Sequence, residues 1–250
     1  MPAEKKIPQT DAIFAELKQV HEDAQASRNT LRVSLDAKAT VKLGPFSRGG
    51  YSRTGNVGSD HDFGAVGQLT PFGLFVPEYD ELDLYFTHSK VTSDFIVDAL
   101  DEWWQRHRER HALVRELVVD LDNGPENHSR RTQFLHRMVQ FAWRYQLWVQ
   151  LVYYPPYHSK YNAIERCWGI LEGYWRGEIL DSEEAVLGQA RSMTYNGIHP
   201  RVHRVQQEYV TGVVRTTAQM KHLETLVERT PKLEKWFVLI PPANPDQFIL

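Results

Sequence analysis

The stretch Tyr153-Tyr-Pro-Pro-Tyr-His-Ser-Lys-Tyr-Asn-Ala-Ile-Glu-Arg-Cys-Trp168 joins the end of an apolar strand to the start of a helix. Pro155 and Pro156 stop the strand, because proline lacks the N–H group that a sheet ladder needs. Asn162 can cap the helix that follows, and Glu165 then lies in its first turn. The stretch therefore predicts a strand-to-helix unit that presents one carboxylate near the end of the strand.

Two apolar strands earlier in the chain end in aspartates. Leu31-Arg-Val-Ser-Leu-Asp36 alternates with a period of two, and Leu117-Val-Val-Asp-Leu-Asp122 is short, β-branched and stops at an Asn-Gly-Pro turn. Acids at the ends of three separate elements suit a metal-dependent phosphoryl-transfer site, because hard cations such as Mg²⁺ take oxygen ligands. Whether Asp36, Asp122 and Glu165 meet therefore decides the function.

The elements around these strands follow the order of an RNase H-like fold. A lead-in helix is predicted over residues 10–26, and further strands are predicted over 74–77 and 82–87. Helices with apolar stripes are predicted from Thr92 or Ser93 to about His111, from Thr132 to Tyr145, and from about Asn162. This order predicts an α/β fold in which helices flank a mixed sheet of three antiparallel strands followed by parallel strands.

The chain is predicted to contain one catalytic domain with an appendage at each end. Residues 1–28 are the lead-in helix and linker, residues 29–180 the RNase H-like catalytic domain, and residues 181–250 a C-terminal helical extension. The extension is expected to carry helices over 182–194 and near 217–228, and its simplest interpretation is packing against the core. DNA contact through Arg201, His203 and Arg204, or a dimer interface, are the alternatives.

Composition limits the classes of protein that this chain can be. It has 250 residues, of which 42% are hydrophobic, enough to bury a full core. No run approaches the roughly 18 apolar residues of a membrane helix and the first residues lack a signal segment, so the cytoplasm is the expected compartment. The single cysteine, Cys167, excludes a disulfide framework. No Walker-type loop is present, which argues against a nucleotide cofactor.

The charge balance argues against a broadly basic DNA-binding surface. The 29 Lys and Arg residues against 32 Asp and Glu residues give a net charge of −3, whereas a DNA-binding domain is usually basic. Binding would therefore use a local patch such as Lys38, Lys42, Arg48 and Arg53, whose side chains could contact phosphates from a glycine-rich segment. A solvated hairpin loop is the alternative interpretation of these residues.

Two long motifs resemble a known family. Leu121-Asp-Asn-Gly-Pro-Glu-Asn127 and the stretch from Tyr153 to Trp168 are similar to motifs of the DDE transposases of bacterial insertion sequences, in particular the ISAzo type. Shorter segments at 46–50, 60–63, 92–97 and 193–200 are also similar to that family. The resemblance extends from about Lys5 to Pro241.

The resemblance implies an RNase H-like domain that cuts and joins DNA strands. Asp36, Asp122 and Glu165 match the family's acidic triad, and their spacings of 86 and 43 residues fit the element order. The implied cofactor is a pair of Mg²⁺ ions, with Mn²⁺ as a substitute, and the implied partner is DNA of the element ends and of the target. A homodimer is left open. The side chains expected to contact DNA are those of Lys38, Lys42, Arg48, Arg53, His158 and Lys160.

The chain departs from the family pattern in two respects. Ala163 stands where relatives usually have proline, and alanine is also a good helix former, so only a small loss of rigidity is expected. The helix-turn-helix region that family members generally carry before the catalytic domain is not evident. Two alternatives for the function are therefore an inactive remnant that serves as a DNA-binding or assembly module, and an RNase H-like nuclease.

Each acid also has a structural interpretation. Asp36 could simply face solvent at the end of its strand. Asp120 lies two residues before Asp122 on the same face, and Asp122 itself can cap the turn that follows it. Glu165 follows Asn162 by three residues and so completes a capping box.

Two other side-chain patterns are open to a functional interpretation. Trp168 follows Glu165 by three residues, and core packing is favoured over base stacking for its indole. His107 and His111 are four residues apart on a helix, a spacing that suits zinc, but no third ligand is evident.

Overall fold

The computed structural model describes residues 6–46, 64–244 and 249. The helices of these residues are α1 (Thr10–Ala26), α2 (Ser93–His107), α3 (Thr132–Tyr145), α4 (Glu165–Trp175), α5 (Glu183–Ser192) and α6 (Thr217–Glu224). The strands are β1 (Thr30–Ala37), β2 (Val41–Leu43), β3 (Gly67–Val76), β4 (Glu81–Thr87), β5 (Glu116–Leu121), β6 (Trp148–Tyr153), β7 (Arg201–Val205), β8 (Glu228–Arg229) and β9 (Phe237–Ile240). Apart from the short β2, the order through α4 is the predicted one.

The described residues group into two compact units, each built from separate stretches of chain. The first unit holds the chain up to Leu35, then Thr92–Asn162, and then the chain from Val210 onward. The second unit holds Asp36–Val91 and Ala163–Tyr209. The unit boundary therefore falls directly before Asp36 in β1 and three residues before Glu165.

Parallel pairing dominates the first unit. Strand β1 pairs with β5 in parallel, with Leu31 opposite Leu117 and Leu35 opposite Leu121. Strand β5 pairs in parallel with β6, which pairs with β9 in antiparallel orientation, and β9 pairs with β8 in the same way. Every residue of β5 after Glu116 is buried, as expected of a central parallel strand that is covered on both faces.

The helices of the first unit form where their apolar stripes predicted them, except that α2 ends at His107, four residues before its predicted end. The side chain of Thr92 accepts a hydrogen bond from the Phe95 N–H and so caps α2. Helix α3 buries the predicted apolar face and is followed by Gln146, whose φ of 53° is left-handed, as is common after a helix C-terminus. Helix α2 packs against α3, and α3 packs against β6 and β9.

The second unit is a mixed sheet with two helices. Strand β3 pairs with β2 and β4 in antiparallel orientation, and β7 joins β4 in parallel. Helices α4 and α5 share its apolar core, which includes Phe75, Leu84, Trp168, Trp175 and Met193. Strand β3 begins at Gly67, seven residues before the predicted strand, because Gly67, Pro71 and Gly73 weaken the sequence signal of a strand.

The segment after residue 181 differs from the predicted helical extension. Helices α5 and α6 form as predicted, but β7, β8 and β9 are strands, of which β7 pairs with β4 and β9 pairs with β6 and β8. Four or five residues are too few to show a clear period-two pattern, and β7 carries three basic residues that obscure it. The extension therefore contains the two predicted helices and, in addition, three strands that the sequence patterns did not predict. The domain boundaries after residues 28 and 180 stay predictions. Within the described ranges, no helix is both long and apolar enough to cross a membrane.

Candidate active site

Asp122 in the first unit is half-buried and directly follows β5. Its Oδ1 accepts hydrogen bonds from the Asn127 side-chain amide at 2.7 Å and from the Gly124 backbone N–H at 3.3 Å. Asn127 is itself fixed, because the buried Tyr153 hydroxyl donates to the Asn127 carbonyl at 2.8 Å. Asp122 therefore caps its turn, as its structural interpretation predicted, and that cap also orients the carboxylate.

Asp120, the alternative to Asp122 as the acid of the site, lies in a different environment. Its carboxylate is fully buried, with Oδ1 2.8 Å from His21 Nε2 and Oδ2 3.4 Å from Arg32 Nε. Since a buried carboxylate needs partners of this kind, Asp120 joins α1 and β1 to β5. This structural role favours Asp122 as the acid of the site.

Asn162 does not cap α4. The helix begins at Glu165, after Ile164, so Glu165 occupies the first helical position and not the third. Asn162 is buried, its Oδ1 accepts from the Ser34 hydroxyl, and its Nδ2 donates to the Leu35 carbonyl at 3.3 Å. The predicted capping box is therefore wrong, because the side chain of its cap residue binds strand β1.

Leu35 near the end of β1 links two other residues of the first unit. Leu35 and Leu121 are register partners, and the Asn162 side chain binds the Leu35 carbonyl. Each of these residues leads directly to one predicted acid: Asp36 follows Leu35, Asp122 follows Leu121, and Glu165 comes three residues after Asn162. Leu35 therefore contacts both Leu121 and Asn162 within the first unit.

Asp36 and Glu165 belong to the second unit, where helix α4 connects them. Both side chains are half-buried. The indole Nε1 of Trp168, one helical turn after Glu165, donates to Asp36 Oδ2 at 2.8 Å. Trp168 is buried, as its predicted core-packing role requires. The hydrogen bond to Asp36 is a feature that the sequence interpretation missed, although the three-residue spacing from Glu165 placed this indole on the correct helix face.

The predicted basic patch is only partly described. Lys38 forms an ion pair with Glu172 on α4 at 3.1 Å. Lys42 on β2 is exposed. Arg48 and Arg53 lie outside the described residues. Of this patch, Lys42 is therefore the described side chain with the most exposed charge.

The two predicted DNA contacts before α4 differ in exposure. Lys160 is exposed, and its ammonium lies 5.1 Å from the ring centre of Tyr161. His158 is buried, its Nδ1 lies 2.8 Å from the Pro156 carbonyl oxygen, and its ring meets Phe14 edge to face at 5.5 Å. Burial of the His158 ring against α1 argues against its predicted contact with DNA, whereas the contact of Lys160 with DNA stays a prediction.

The basic residues of β7 are paired with acids of the second unit. Arg201 and His203 both bind the buried Asp83, and Arg204 pairs with Glu183. Burial alone raises the pKa of Asp83, but the hydrogen bonds from His203 and Arg201 outweigh it and hold the pKa below its ordinary value. These three side chains therefore stabilise the sheet, and the alternative of DNA contact through them loses support.

The donor set suits a hard divalent cation, because all three predicted ligands are carboxylates that retain some exposure to solvent. Within either unit, the described part of the chain contains no group of three or more His, Cys, Asp or Glu side chains arranged to hold a metal. The zinc alternative has a structural explanation, since His107 and His111 are both buried and the His107 ring stacks on Trp103 at 5.3 Å.

Comparison with known protein families gives a match over nearly the whole chain. A family described as the Rhodopirellula transposase DDE domain matches residues 1–242. The chain belongs to this family. The resemblance to DDE transposases that the motifs predicted is thereby confirmed. A search of curated proteins gave no match.

Two solved structures of Mos1 transposase are similar to this transposase chain. The first, a paired-end complex with the left transposon end, has a TM-score of 0.51 at 13% sequence identity, over 74% of this chain and 54% of that chain. The second, a mariner paired-end complex with Mn, has a TM-score of 0.47 with the same identity and coverage. The chain thus spans about half the length of the solved chains. The first likeness confirms the predicted RNase H-like fold.

Proposed function

We propose that this transposase domain cuts DNA at the ends of a mobile element and joins the ends to target DNA. The proposed reaction is metal-dependent phosphoryl transfer at Asp36, Asp122 and Glu165. The observation that carries the proposal is the meeting of Leu35, Leu121 and Asn162 in the first unit, because each leads within three residues to one of the acids.

The register of β1 and β5 supports this assignment. The pairing of Leu35 with Leu121 is the last of six consecutive parallel pairs. Asp36 and Asp122 each directly follow one member of this last pair. Carboxylates are ligands that hard divalent cations prefer, and phosphoryl-transfer sites use paired metal ions about 3.5–4 Å apart.

The position of Glu165 supports its role as the third ligand. As the first residue of α4, it lies at the helix end where unpaired backbone N–H groups favour a negative charge. Asn162 holds the preceding loop to the end of β1. Glu165 therefore follows this contact by three residues along the chain.

The residues of this chain would act by position and charge. When bound, two Mg²⁺ or Mn²⁺ ions supply Lewis acidity to the phosphodiester and to the attacking oxygen. Asp36, Asp122 and Glu165 would hold them, with the Asn127 amide and the Trp168 indole orienting the two aspartates. Water displaces the 3′ oxygen of the element strand in the first step, and that oxygen leaves as a hydroxyl. In the second step this 3′-hydroxyl loses its proton and attacks a target phosphodiester, and the 3′ oxygen of the target strand is displaced and leaves as a hydroxyl.

DNA is the proposed partner, and the exposed Lys42 and Lys160 are the proposed phosphate contacts. The Mos1 structure of similar fold is a complex with a transposon end, which supports element-end DNA as the substrate here. Each phosphate contact that is lost should reduce the slope of log affinity against log salt by about 0.9 for duplex DNA. A homodimer and a cytoplasmic location stay predictions.

Asp122→Asn tests the proposed function. The substitution keeps the shape of the side chain but removes the ligand charge, so we expect Mg²⁺-dependent strand cleavage to be abolished while the circular dichroism spectrum stays unchanged. Asp11→Asn on α1 is the matched control, since the Asp11 side chain is 87% exposed, and it should cleave like the parent. Undiminished cleavage by Asp122→Asn would contradict the assignment. Preferred cleavage of an RNA–DNA hybrid by the parent would favour the nuclease alternative.

A further inference from the structure

We propose that Trp168 is a positioning residue for Asp36, and that Gly73 provides the space in which its indole reaches the carboxylate. The inference rests on the proposed function of Asp36 as a metal ligand. It assigns to two residues outside the acidic triad the task of holding one member of that triad in a fixed orientation.

The contact itself is well suited to this task. The indole Nε1 lies 2.8 Å from Asp36 Oδ2, and an indole N–H can only donate a hydrogen bond. Trp168 is 4% exposed, so water has little access to compete for the donor. Because the donor is neutral, it fixes one carboxylate oxygen without adding a positive charge that would repel a cation.

Helix α4 links this contact to Glu165. Trp168 and Glu165 are three residues apart and therefore lie on roughly the same helix face. The helix that carries one acid thus also orients another. A shift of α4 along or away from the sheet would change the position of Glu165 and the orientation of Asp36 together.

Gly73 in β3 makes the close approach of α4 possible. A Cβ atom at position 73 would lie 2.6 Å from Ile164 Cδ1 and 2.7 Å from Trp168 Cη2. Gly73 is paired with Leu84 in the middle of the β3–β4 ladder, so the backbone cannot easily move away. A side chain at this position must therefore displace α4 or rotate the indole away from Asp36.

A second tryptophan on α4, Trp175, packs in the same core but does not orient an acid of the proposed site. Trp175 is fully buried in the same core, and its Nε1 donates to the backbone carbonyl of Val186 at 3.4 Å. That bond is long, and its acceptor is a backbone carbonyl and not a carboxylate. Trp175 therefore provides a matched control for substitutions at Trp168.

The experiment measures the hydrogen bond and its consequence separately in the full chain. Two-dimensional NMR with ¹⁵N-labelled tryptophan should show that Asp36→Asn shifts the Trp168 indole signal and leaves that of Trp175 unchanged. Mn²⁺ titration followed by electron paramagnetic resonance should then show that Trp168→Phe weakens Mn²⁺ binding by about 10–100-fold, the usual cost of losing a partner that orients a metal ligand. Trp175→Phe should leave Mn²⁺ affinity unchanged, even where it lowers the melting temperature.

An isosteric replacement separates the N–H group from the packing of the ring. Benzothienylalanine at position 168 keeps the two-ring shape but replaces the N–H with sulfur, and it should weaken Mn²⁺ binding as Trp168→Phe does. A fluorotryptophan that retains the N–H should bind Mn²⁺ like the parent. Parent-like Mn²⁺ affinity with benzothienylalanine would overturn the inference, because packing alone would then suffice.

Asp36→Asn distinguishes failure of this inference from failure of the proposed function. If Asp36→Asn binds Mn²⁺ as tightly as the parent, Asp36 is not a ligand and the proposed function itself fails. If Asp36→Asn loses Mn²⁺ while Trp168→Phe retains it, only the positioning role is wrong. Loss of Mn²⁺ affinity in both variants, with Trp175→Phe unaffected, supports both proposals.

Discussion

Asp122 in the first unit and Asp36 in the second are both oriented by N–H donors, but the donors come from different distances along the chain. Asp122 is held by Gly124 and Asn127, two and five residues later in the same turn. Asp36 is held by Trp168, which is 132 residues away in the sequence. The first support forms with the turn itself, whereas the second depends on the packing of α4 against β3. The orientation of Asp36 should therefore be the more sensitive of the two to distant substitutions.

The largest expected effect on the free energy of unfolding comes from Asp120, and substitution of Asp122, two residues later in the first unit, should cost less. Asp120→Ala should lower the free energy of unfolding by about 3–5 kcal/mol, because it leaves the partly buried His21 and Arg32 without their buried partner. Asp122→Ala removes a half-buried side chain with two hydrogen bonds and should cost about 1–3 kcal/mol. Urea denaturation of both variants measures the difference. Equal losses would contradict the assignment of Asp120 as the structural acid.

The long-range support in the second unit can be broken from β3. Gly73→Ala should lower the free energy of unfolding by about 1–3 kcal/mol, because the added methyl group overpacks the interface with α4. It should also weaken Mn²⁺ binding, since the indole of Trp168 is displaced from Asp36. Denaturation and Mn²⁺ titration of the same preparation measure both effects.

Gly169→Ala is the control for this substitution. Gly169 lies on α4, and a Cβ there meets nothing within 4 Å. Alanine should therefore stabilise the helix by up to about 1 kcal/mol and leave Mn²⁺ affinity unchanged. A Gly73→Ala variant with parent-like stability and Mn²⁺ affinity would contradict the proposed packing dependence.

The local support of Asp122 can be weakened without touching α4. Asn127→Ala removes the 2.7 Å hydrogen bond to Asp122 but leaves the Gly124 N–H in place. We expect a loss of Mn²⁺ affinity of about tenfold, at the lower end of the usual range for partners of metal ligands. Asn123→Ala at the exposed neighbouring position should have no effect on affinity. A larger loss of Mn²⁺ affinity in Asn127→Ala than in Trp168→Phe would mean that the hydrogen bond to Asp122 contributes more to metal binding than the hydrogen bond to Asp36, which would contradict this prediction.

The smallest expected effect on stability at neutral pH comes from the protonation of His136. In the first unit, burial and the nearby Arg215 and Arg137 lower the pKa of His136 to about 4 from an ordinary value of 6.5. The unfolded chain therefore binds a proton at higher pH than the folded chain does, so stability should fall as the pH is lowered from 6.5 to about 4. His136→Gln should flatten this part of the pH profile.

The stability of the second unit should depend on pH in a lower range, which is set by Asp83. The pKa of Asp83 is below its ordinary value of 3.8, so its contribution to stability is present above that pH and is lost as the pH falls further. Asp83→Asn should therefore change the profile below about pH 4 and not the slope assigned to His136. Guanidinium unfolding of both variants at several pH values measures the two windows, and a slope above pH 4 that persists in His136→Gln would contradict its assignment.

The local patterns of the sequence predicted much of the fold. The alternation of β1, the apolar run of β5 and the stripes of α1, α2 and α3 all depend on neighbouring residues, which is why periodicity locates them. The same holds for the turn after Asp122, where Asn-Gly-Pro indicates the chain reversal. The sequence patterns did not predict strands β7 and β9, because these strands are short and gain their stability from pairing with β4 and β6.

The contacts that support the site were the least predictable. Asn162 has the sequence signal of a helix cap, yet its side chain binds β1, 127 residues earlier in the sequence. The link between Trp168 and Asp36 likewise depends on the packing of α4 against β3. His158 has the polarity of a surface residue, but Phe14 of α1 covers its ring. In each case the partner comes from a distant part of the chain, and no local pattern specifies it.

The most direct test of the proposed triad is metal binding by its three isosteric variants. Mn²⁺ titration by electron paramagnetic resonance should show high-affinity binding in the parent and in the exposed-surface control Asp11→Asn. Asp36→Asn, Asp122→Asn and Glu165→Gln should each lose that binding while retaining the parent circular dichroism spectrum. Parent-like Mn²⁺ affinity in any one of these three variants would contradict the claim that the three acids form a single metal site.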